Sequence, residues 1–216
     1  MNFFNLTLFE QGGPIMWLLL LLSLFALILF IERVLFLHTA QIRSTEFVSG
    51  IKNSLRKRRL VEALTLCEET PGPVAQVVKA GLLNYEEDEE KMRFAIREAA
   101  LVEIPTLERR IGSIAAIAQA APLLGLLGTV LGMISTFDIV HAEGPYVNAS
   151  LVAGGIWQAL LTTAAGLAIA IPAYLGHHFL AGRVRALVND MEWVGNEMMQ
   201  FLLKDLPKEF AESDDE

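Results

Sequence analysis

Long stretches without any charged residue set the strongest constraint on how this chain can fold. Lys, Arg, Asp and Glu are all absent from residues 112–137 and 145–182, and a third uncharged stretch covers 11–31. Of the 216 residues, 53% are hydrophobic, which is more than an ordinary soluble domain contains. A helix of about 20 apolar residues spans the hydrocarbon core of a bilayer. Each stretch therefore predicts a membrane-spanning helix.

We predict an all-α integral membrane protein with three transmembrane helices. The second and third are expected to extend into the cytoplasm, because apolar residues recur at helical spacing in the flanking segments. The predicted segments are an extracytoplasmic N-terminus at 1–13, transmembrane helix 1 at 14–37, a cytoplasmic helical loop at 38–113, transmembrane helix 2 at 114–140, a short periplasmic turn at 141–150, transmembrane helix 3 at 151–181, a cytoplasmic amphipathic helix at 182–207 and an acidic tail at 208–216.

The distribution of basic residues predicts the orientation. The chain has 17 Lys and Arg residues; none precedes Arg33 and none lies in the turn 141–150. Cytoplasmic segments of membrane proteins are enriched in Lys and Arg. We therefore expect the N-terminus outside, the loop 38–113 inside, the turn outside and the C-terminus inside. Glu32 and Arg33 end the first apolar stretch, where they either mark the membrane edge or contact a neighbouring helix.

The second and third apolar stretches contain many small and hydroxyl-bearing residues, whereas the first is rich in Leu and Phe. Small residues let membrane helices pack closely, and hydroxyls form hydrogen bonds between them. Gln158 and the two threonines that follow it recur on one side of a helix. The stripe indicates either a polar path for a small cation or packing alone. The predicted packing positions are Gly125, Gly128, Gly132, Gly166 and Pro172, and the predicted path is lined by Thr129, Gln158, Thr162 and Thr163.

These apolar stretches lack a proton-carrying acid. The nearest carboxylate is Asp138, which is predicted to lie at the outer mouth of the second span. If ions cross between these helices, the titrating acid must therefore come from another chain.

Motifs of soluble enzymes are absent from the sequence. There is no P-loop, no Gly-x-Ser-x-Gly and no Cys/His cluster with metal-ligand spacing. His177 and His178 are adjacent, so their side chains point about 100° apart on a helix and are poorly placed to share a metal. The net charge of −8 comes largely from an acidic run in the loop and the acidic tail. We expect no catalytic residue, no metal, no cofactor and no nucleic-acid partner.

Two sequence motifs also carry a family resemblance. APLLGLLGTVLGMISTF at 121–137 and GIWQALLTTAAGLAIAIPA at 155–173 resemble the signature of the MotA/TolQ/ExbB proton channel family. Three predicted spans, an outside N-terminus and a loop of this size resemble the ExbB/TolQ branch of that family. The flagellar stator subunit of the family has four spans and a larger charged cytoplasmic region.

The resemblance implies an ion-driven motor. It implies a homo-oligomeric ring, a pentamer, around two single-span helices of an ExbD/TolR-like partner whose transmembrane Asp is the missing acid. Binding and release of a proton at that Asp would drive rotation, and the torque would be transmitted to a TonB- or TolA-like client. The complex would lie in the inner membrane of a double-membrane bacterium. The pore threonines of the family fall on Thr129 and Thr163. Family members often carry Glu where this chain has Gln158, which leaves proton or sodium coupling open. A non-conducting membrane scaffold and a flagellar-type stator are the alternatives.

Overall fold

The computed structural model describes residues 12–144 and 148–206, and throughout these residues the regular structure is helical. The predicted tail 208–216, most of the segment 1–13 and the middle of the turn 141–150 lie outside the described residues. The helices, in chain order, are α1 Gly13–Ala40, α2 Ser44–Arg56, α3 Leu60–Glu69, α4 Pro73–Leu83, α5 Glu89–Glu108, α6 Ile111–Glu143 and α7 Ala149–Gln200, followed by a π-helical turn Phe201–Asp205.

Three helical stretches, which contain α1, α6 and α7, are long and apolar enough to cross a membrane: Gly13–Arg56, Glu89–Ala142 and Ala149–Asp205. This confirms the prediction of an all-α chain with three candidate spans. With 52 residues, α7 has a length of about 78 Å at 1.5 Å per residue. That is more than twice the roughly 30 Å hydrocarbon core of a bilayer.

Residues with left-handed backbone conformation mark where some of these helices begin. Gly13 has a φ of 68° and starts α1, and Pro14 follows in the first turn, where its missing N–H leaves no bond unmade. Arg110, with a φ of 64°, separates α5 from α6. The helical pattern that was expected to run from the loop into the second span is therefore interrupted at this residue.

The described residues form two compact units, 12–33 with 110–144 and 148–179, and 34–109 with 180–206. In the first unit, α1, α6 and α7 pack together through a small core of Leu19, Ala121 and Ala170. Most other large side chains of this unit face outward; Leu21 and Leu175, for example, are 62% and 63% exposed. Such surfaces are stable only when lipid or other protein covers them.

In the second unit, α2–α5 pack with the C-terminal part of α7. The valines and the leucine that recur at helical spacing on α4 form one buried apolar face. The apolar face predicted for the end of α7 is buried as well. Gly195 on α7 allows a close approach: a Cβ atom there would lie 2.9 Å from Ile96 of α5. The buried residues that form these two faces include Val74, Val77, Val78, Leu82, Leu187, Met191, Val194 and Met198.

Candidate functional site

The predicted glycines bring α6 and α7 into close contact along a line that we call the seam, formed by Gly125, Gly128, Gly132 and Thr136 of α6 and by Gly155, Ala159, Thr162, Thr163 and Gly166 of α7. A Cβ atom on Gly125 would lie 2.9 Å from the carbonyl oxygen of Thr162, and one on Gly166 would lie 2.6 Å from that of Ala121. Both distances are too short for a real Cβ contact. The two backbones can therefore approach this closely only because these positions lack side chains.

Threonine hydroxyls fill the middle of the seam. The Thr162 side chain is 1% exposed and packs directly against Gly128. Its hydroxyl donates to the carbonyl of Ala159 at 2.8 Å, within its own helix, and also lies within hydrogen-bond reach of the Gly125 carbonyl on α6, at 3.4 Å. The Thr163 hydroxyl donates to the same Gly125 carbonyl, at 3.1 Å. The seam thus contains polar atoms that are satisfied by main-chain oxygens, as a low-dielectric interior requires.

Towards the end of α6, the seam contains Thr136 and Gly155, which were not among the predicted packing or path residues. Thr136 is 4% exposed, its hydroxyl donates to the carbonyl of Gly132 at 2.8 Å, and its side chain packs against Gly155. The signal for both was present in the sequence. Thr136 lies four residues after Gly132, and Gly155 lies four residues before Ala159, so each repeats the helical spacing of the seam.

Thr129 lies outside the tight part of the seam. Its side chain is half-buried, and its hydroxyl donates to the carbonyl of Leu126 within α6, at 2.6 Å. Asp138, further along α6, is exposed. The structure therefore groups Thr162 and Thr163 with the seam glycines, whereas Thr129 and Asp138 lie on more accessible parts of α6.

Gln158 is half-buried, and its amide points towards the beginning of α1. A Cβ atom on Gly13 would lie 2.7 Å from the Gln158 side-chain nitrogen, so the two residues are in contact. The sequence predicts that Gln158, Thr162 and Thr163 line one polar stripe. In the structure the Gln158 amide contacts the first turn of α1, and the two threonine hydroxyls lie between α6 and α7.

Pro172, predicted as a packing residue, is exposed on α7 and lines an apolar cavity of about 300 Å³ between α1, α6 and α7. Phe30 and Ile114 line the same cavity. A proline inside a helix removes one main-chain hydrogen bond and leaves the carbonyl four residues earlier without its usual donor.

A three-residue charge cluster joins α1 to the start of α6. The Glu32 carboxylate accepts hydrogen bonds from the guanidinium groups of Arg33 and Arg110, each with a shortest distance of 3.0 Å. Arg33 is 3% exposed, whereas the side chains of Glu32 and Arg110 are 37% and 42% exposed. Glu32 therefore contacts a neighbouring helix, and the position of Glu32 and Arg33 at the membrane edge stays a prediction.

The two histidines near the end of the first unit are 5.3 Å apart between ring centroids and tilted by 68°. The Nδ1 atom of His177 lies 3.3 Å from the carbonyl oxygen of Ile111, within hydrogen-bond reach. Across residues 12–144 and 148–206, no group of three or more His, Cys, Asp or Glu side chains is arranged to hold a metal ion.

Comparison with known proteins identifies relatives along most of the chain. The model of the MotA/TolQ/ExbB proton channel family matches residues 69–193, a range that contains the whole seam. The chain is 28% identical over 196 residues to an ExbB homolog of Methanothermobacter thermautotrophicus, covering 89% of this chain and 69% of that protein. It is 27% identical over 210 residues to the biopolymer transport protein ExbB of Neisseria meningitidis, covering 90% and 95%. It is 39% identical over 88 residues to the Tol-Pal system protein TolQ of Haemophilus influenzae, covering 41% and 38%.

Proposed function

The chain belongs to the MotA/TolQ/ExbB proton channel family, in its ExbB/TolQ-like branch, and we propose that it is the ring-forming subunit of an ion-driven motor. It is a multi-pass membrane protein of a proton-channel energy-transduction system. The proposal adds the location in the inner membrane of a double-membrane bacterium, with the N-terminus outside and the C-terminus inside. The absence of Lys and Arg before Arg33 and from 141–150 supports this orientation.

The observation that carries the proposal is the polar seam between two uncharged helices. It offers threonine hydroxyls and main-chain carbonyls, and neither exchanges protons at physiological pH. The carboxylate that binds and releases the ion therefore comes from a partner, which we propose to be an ExbD/TolR-like single-span protein with a transmembrane Asp. An isolated carboxylate in a membrane is costly and needs polar neighbours, and the seam residues are suited to supply them.

The outward-facing apolar side chains of α6 and α7 support a ring. Leu123, Phe137, Leu160 and Ile171 are each at least 60% exposed in the single chain. We propose that copies of the chain, five in number, cover part of this surface and enclose two partner helices, while lipid covers the rest. The client is a TonB- or TolA-like protein, the coupling ion is a proton, and the chain catalyses no covalent reaction.

A scaffold that clamps its partner without conducting ions is the second candidate. One observation favours it: the hydroxyls of Thr129, Thr136, Thr162 and Thr163 each donate to a main-chain carbonyl. Hydroxyls engaged in this way can serve helix packing alone. The two candidates differ in whether ions move.

The test is proton flux into vesicles. The chain is reconstituted alone, with its single-span partner, and with a partner whose transmembrane Asp is replaced by Asn; a potassium diffusion potential drives proton entry, and an internal pH dye reports it. We expect flux only with the unmodified partner. Flux from the chain alone would show that the acid is not supplied in trans. A stable complex without flux would establish the scaffold. Replacing sodium by choline in the same assay separates proton from sodium coupling.

A further inference from the structure

An exposed basic turn joins α2 to α3 in the second unit. Arg56, Lys57, Arg58 and Arg59 follow one another, and all four are exposed. Arg58 has a left-handed φ of 57°, which ends the helical path of α2. Arg59 pairs with Glu62, one turn into α3, at 3.2 Å. Four consecutive cations on one turn form a concentrated positive surface, the basic turn 56–59.

The C-terminal end of α7 is fixed beside this basic turn. The Phe201 ring centroid lies 5.1 Å from the ammonium of Lys52 and 5.7 Å from the guanidinium carbon of Arg56. Both distances fit a cation–π contact. Lys52 also forms an ion pair with Glu197, one turn before Phe201, at 2.5 Å. Because Phe201 is 1% exposed, this contact is part of the packed unit, and it brings the C-terminal end of the described chain close to the basic turn.

The residues that follow have the opposite charge. Segment 207–216 carries five carboxylates and one Lys: Glu209, Glu212, Asp214, Asp215 and Glu216 against Lys208. From Phe201 to the end of the described helix at Leu206 the chain advances by about 7 Å. Ten further residues can span up to roughly 33 Å. We propose that segment 207–216, here called the acidic segment, binds the basic turn of its own chain by charge pairing.

Covalent connection to the same chain favours the acidic segment over a second copy of the chain or an anionic lipid as the partner of the basic turn. A covalent connection of this length gives an effective concentration in the millimolar range, which an unconnected competitor must exceed. The individual pairs are exposed and screened by salt, with a Debye length of about 8 Å at physiological ionic strength. The contact is therefore reversible. It masks a positive surface that would otherwise attract anionic lipid head groups and exposes it again when the acidic segment is released.

Disulfide formation tests the contact in the full-length protein. Lys57→Cys and Ser213→Cys are introduced together, and the buried native Cys67 is retained. The purified protein is oxidised in detergent and in bilayers that contain phosphatidylglycerol, and the linked peptides are identified by mass spectrometry. We expect a disulfide within one chain in both environments, with monomer mobility on a denaturing gel.

A charge-neutral acidic segment is the matched control. With the five carboxylates changed to their amides, the linkage rate should fall about fivefold or more, and about 1 M salt should have the same effect, because the attraction is screened. An unchanged rate would show that the tether alone brings the two cysteines together, and would overturn the proposal. A disulfide between two chains would assign the surface to a second copy. Linkage in detergent but not in anionic bilayers would assign it to lipid.

Discussion

The hydroxyl of Thr163 donates a hydrogen bond across two membrane helices to the main-chain carbonyl of Gly125, at 3.1 Å. The contact exists because Gly125 and Gly166 carry no side chain where the helices meet. One residue thus links the packing of the seam to its polarity. Rotation about the χ1 angle of Thr163 would redirect the same hydroxyl towards the proposed partner carboxylate without moving the backbone.

We predict that Thr163→Val abolishes partner-dependent proton flux and leaves the oligomer intact, and that Thr129→Val has a weaker effect of the same kind. Valine has the same shape as threonine, and an interhelical hydrogen bond in a membrane contributes only about 0.6 kcal/mol to stability. Flux in vesicles and oligomer size by gel filtration measure the two effects. Thr163→Ser, which keeps the hydroxyl, should retain flux. Normal flux in the valine variant would show that this hydroxyl serves packing only.

Replacing a seam glycine should separate the helices. In Gly166→Ala the new Cβ would meet the Ala121 carbonyl oxygen at 2.6 Å, and we expect a loss of about 1–3 kcal/mol in the free energy of unfolding. Gly154→Ala is the matched control on the same helix, because its Cβ would meet nothing within 4 Å. Titration with sodium dodecyl sulfate, followed by circular dichroism, compares the two. Equal stability would contradict the close approach of α6 and α7.

The seam was largely predictable because it depends on local spacing. Glycines at 125, 128 and 132 lie on one side of a helix whatever the rest of the chain does, and the absence of charge places that helix in a membrane. Thr136 shares this spacing and could have been included. Its burial could not be predicted from the sequence, because a hydroxyl near the end of a membrane span fits an exposed position as well as a buried one.

The contacts of α1 could not be predicted in the same way. Gln158 contacts Gly13 because α1 packs against α7 at one particular position along the helix axis. The Leu- and Phe-rich sequence of α1 does not specify that position. Likewise, the left-handed conformation of Arg110 carries no local signal, because arginine rarely adopts it. Both features depend on tertiary packing, which a single sequence does not encode in its spacing.

The Glu32 carboxylate should contribute more to stability than an ordinary surface ion pair. Glu32→Gln would leave the guanidinium groups of Arg33 and Arg110 near one another without their shared anion. Because Glu32 is partly exposed, we expect a loss of about 1–2 kcal/mol rather than the full cost of breaking a buried pair. Glu46→Gln removes an exposed partner of Arg43 and should cost less than about 1 kcal/mol. Thermal unfolding measures the loss of stability in both variants. Equal losses for Glu32→Gln and Glu46→Gln would show that the Glu32 cluster contributes no more than an exposed ion pair.

Cys67 should be unreactive in the folded protein. It is fully buried in α3, and burial raises the pKa of its thiol from 9.0 to about 11. At pH 8 only about one molecule in a thousand then carries a thiolate. We expect maleimide labelling at least about 100-fold slower than that of Asn53→Cys, an exposed α2 site, in a Cys67→Ala background. Because the folded-state pKa is raised, the stability linked to this group is fully present below pH 9 and is lost as the pH rises towards 11. Rapid labelling under native conditions would show that α3 opens readily.

Gln158 should tolerate an acid but not a base. Its amide lies beside Gly13, where α1 begins, and a helix N-terminus presents unpaired N–H groups and a partial positive charge. Gln158→Glu places a carboxylate against these groups, so we expect normal oligomer yield and retained partner-dependent flux. Gln158→Lys has a side chain of similar length and the opposite charge, and should lower the oligomer yield, because the ammonium is repelled by the same helix end and desolvated in the membrane. Yields from gel filtration decide the comparison. If the Glu variant fails to assemble while the Lys variant succeeds, the amide does not lie beside the first turn of α1 in the assembled protein.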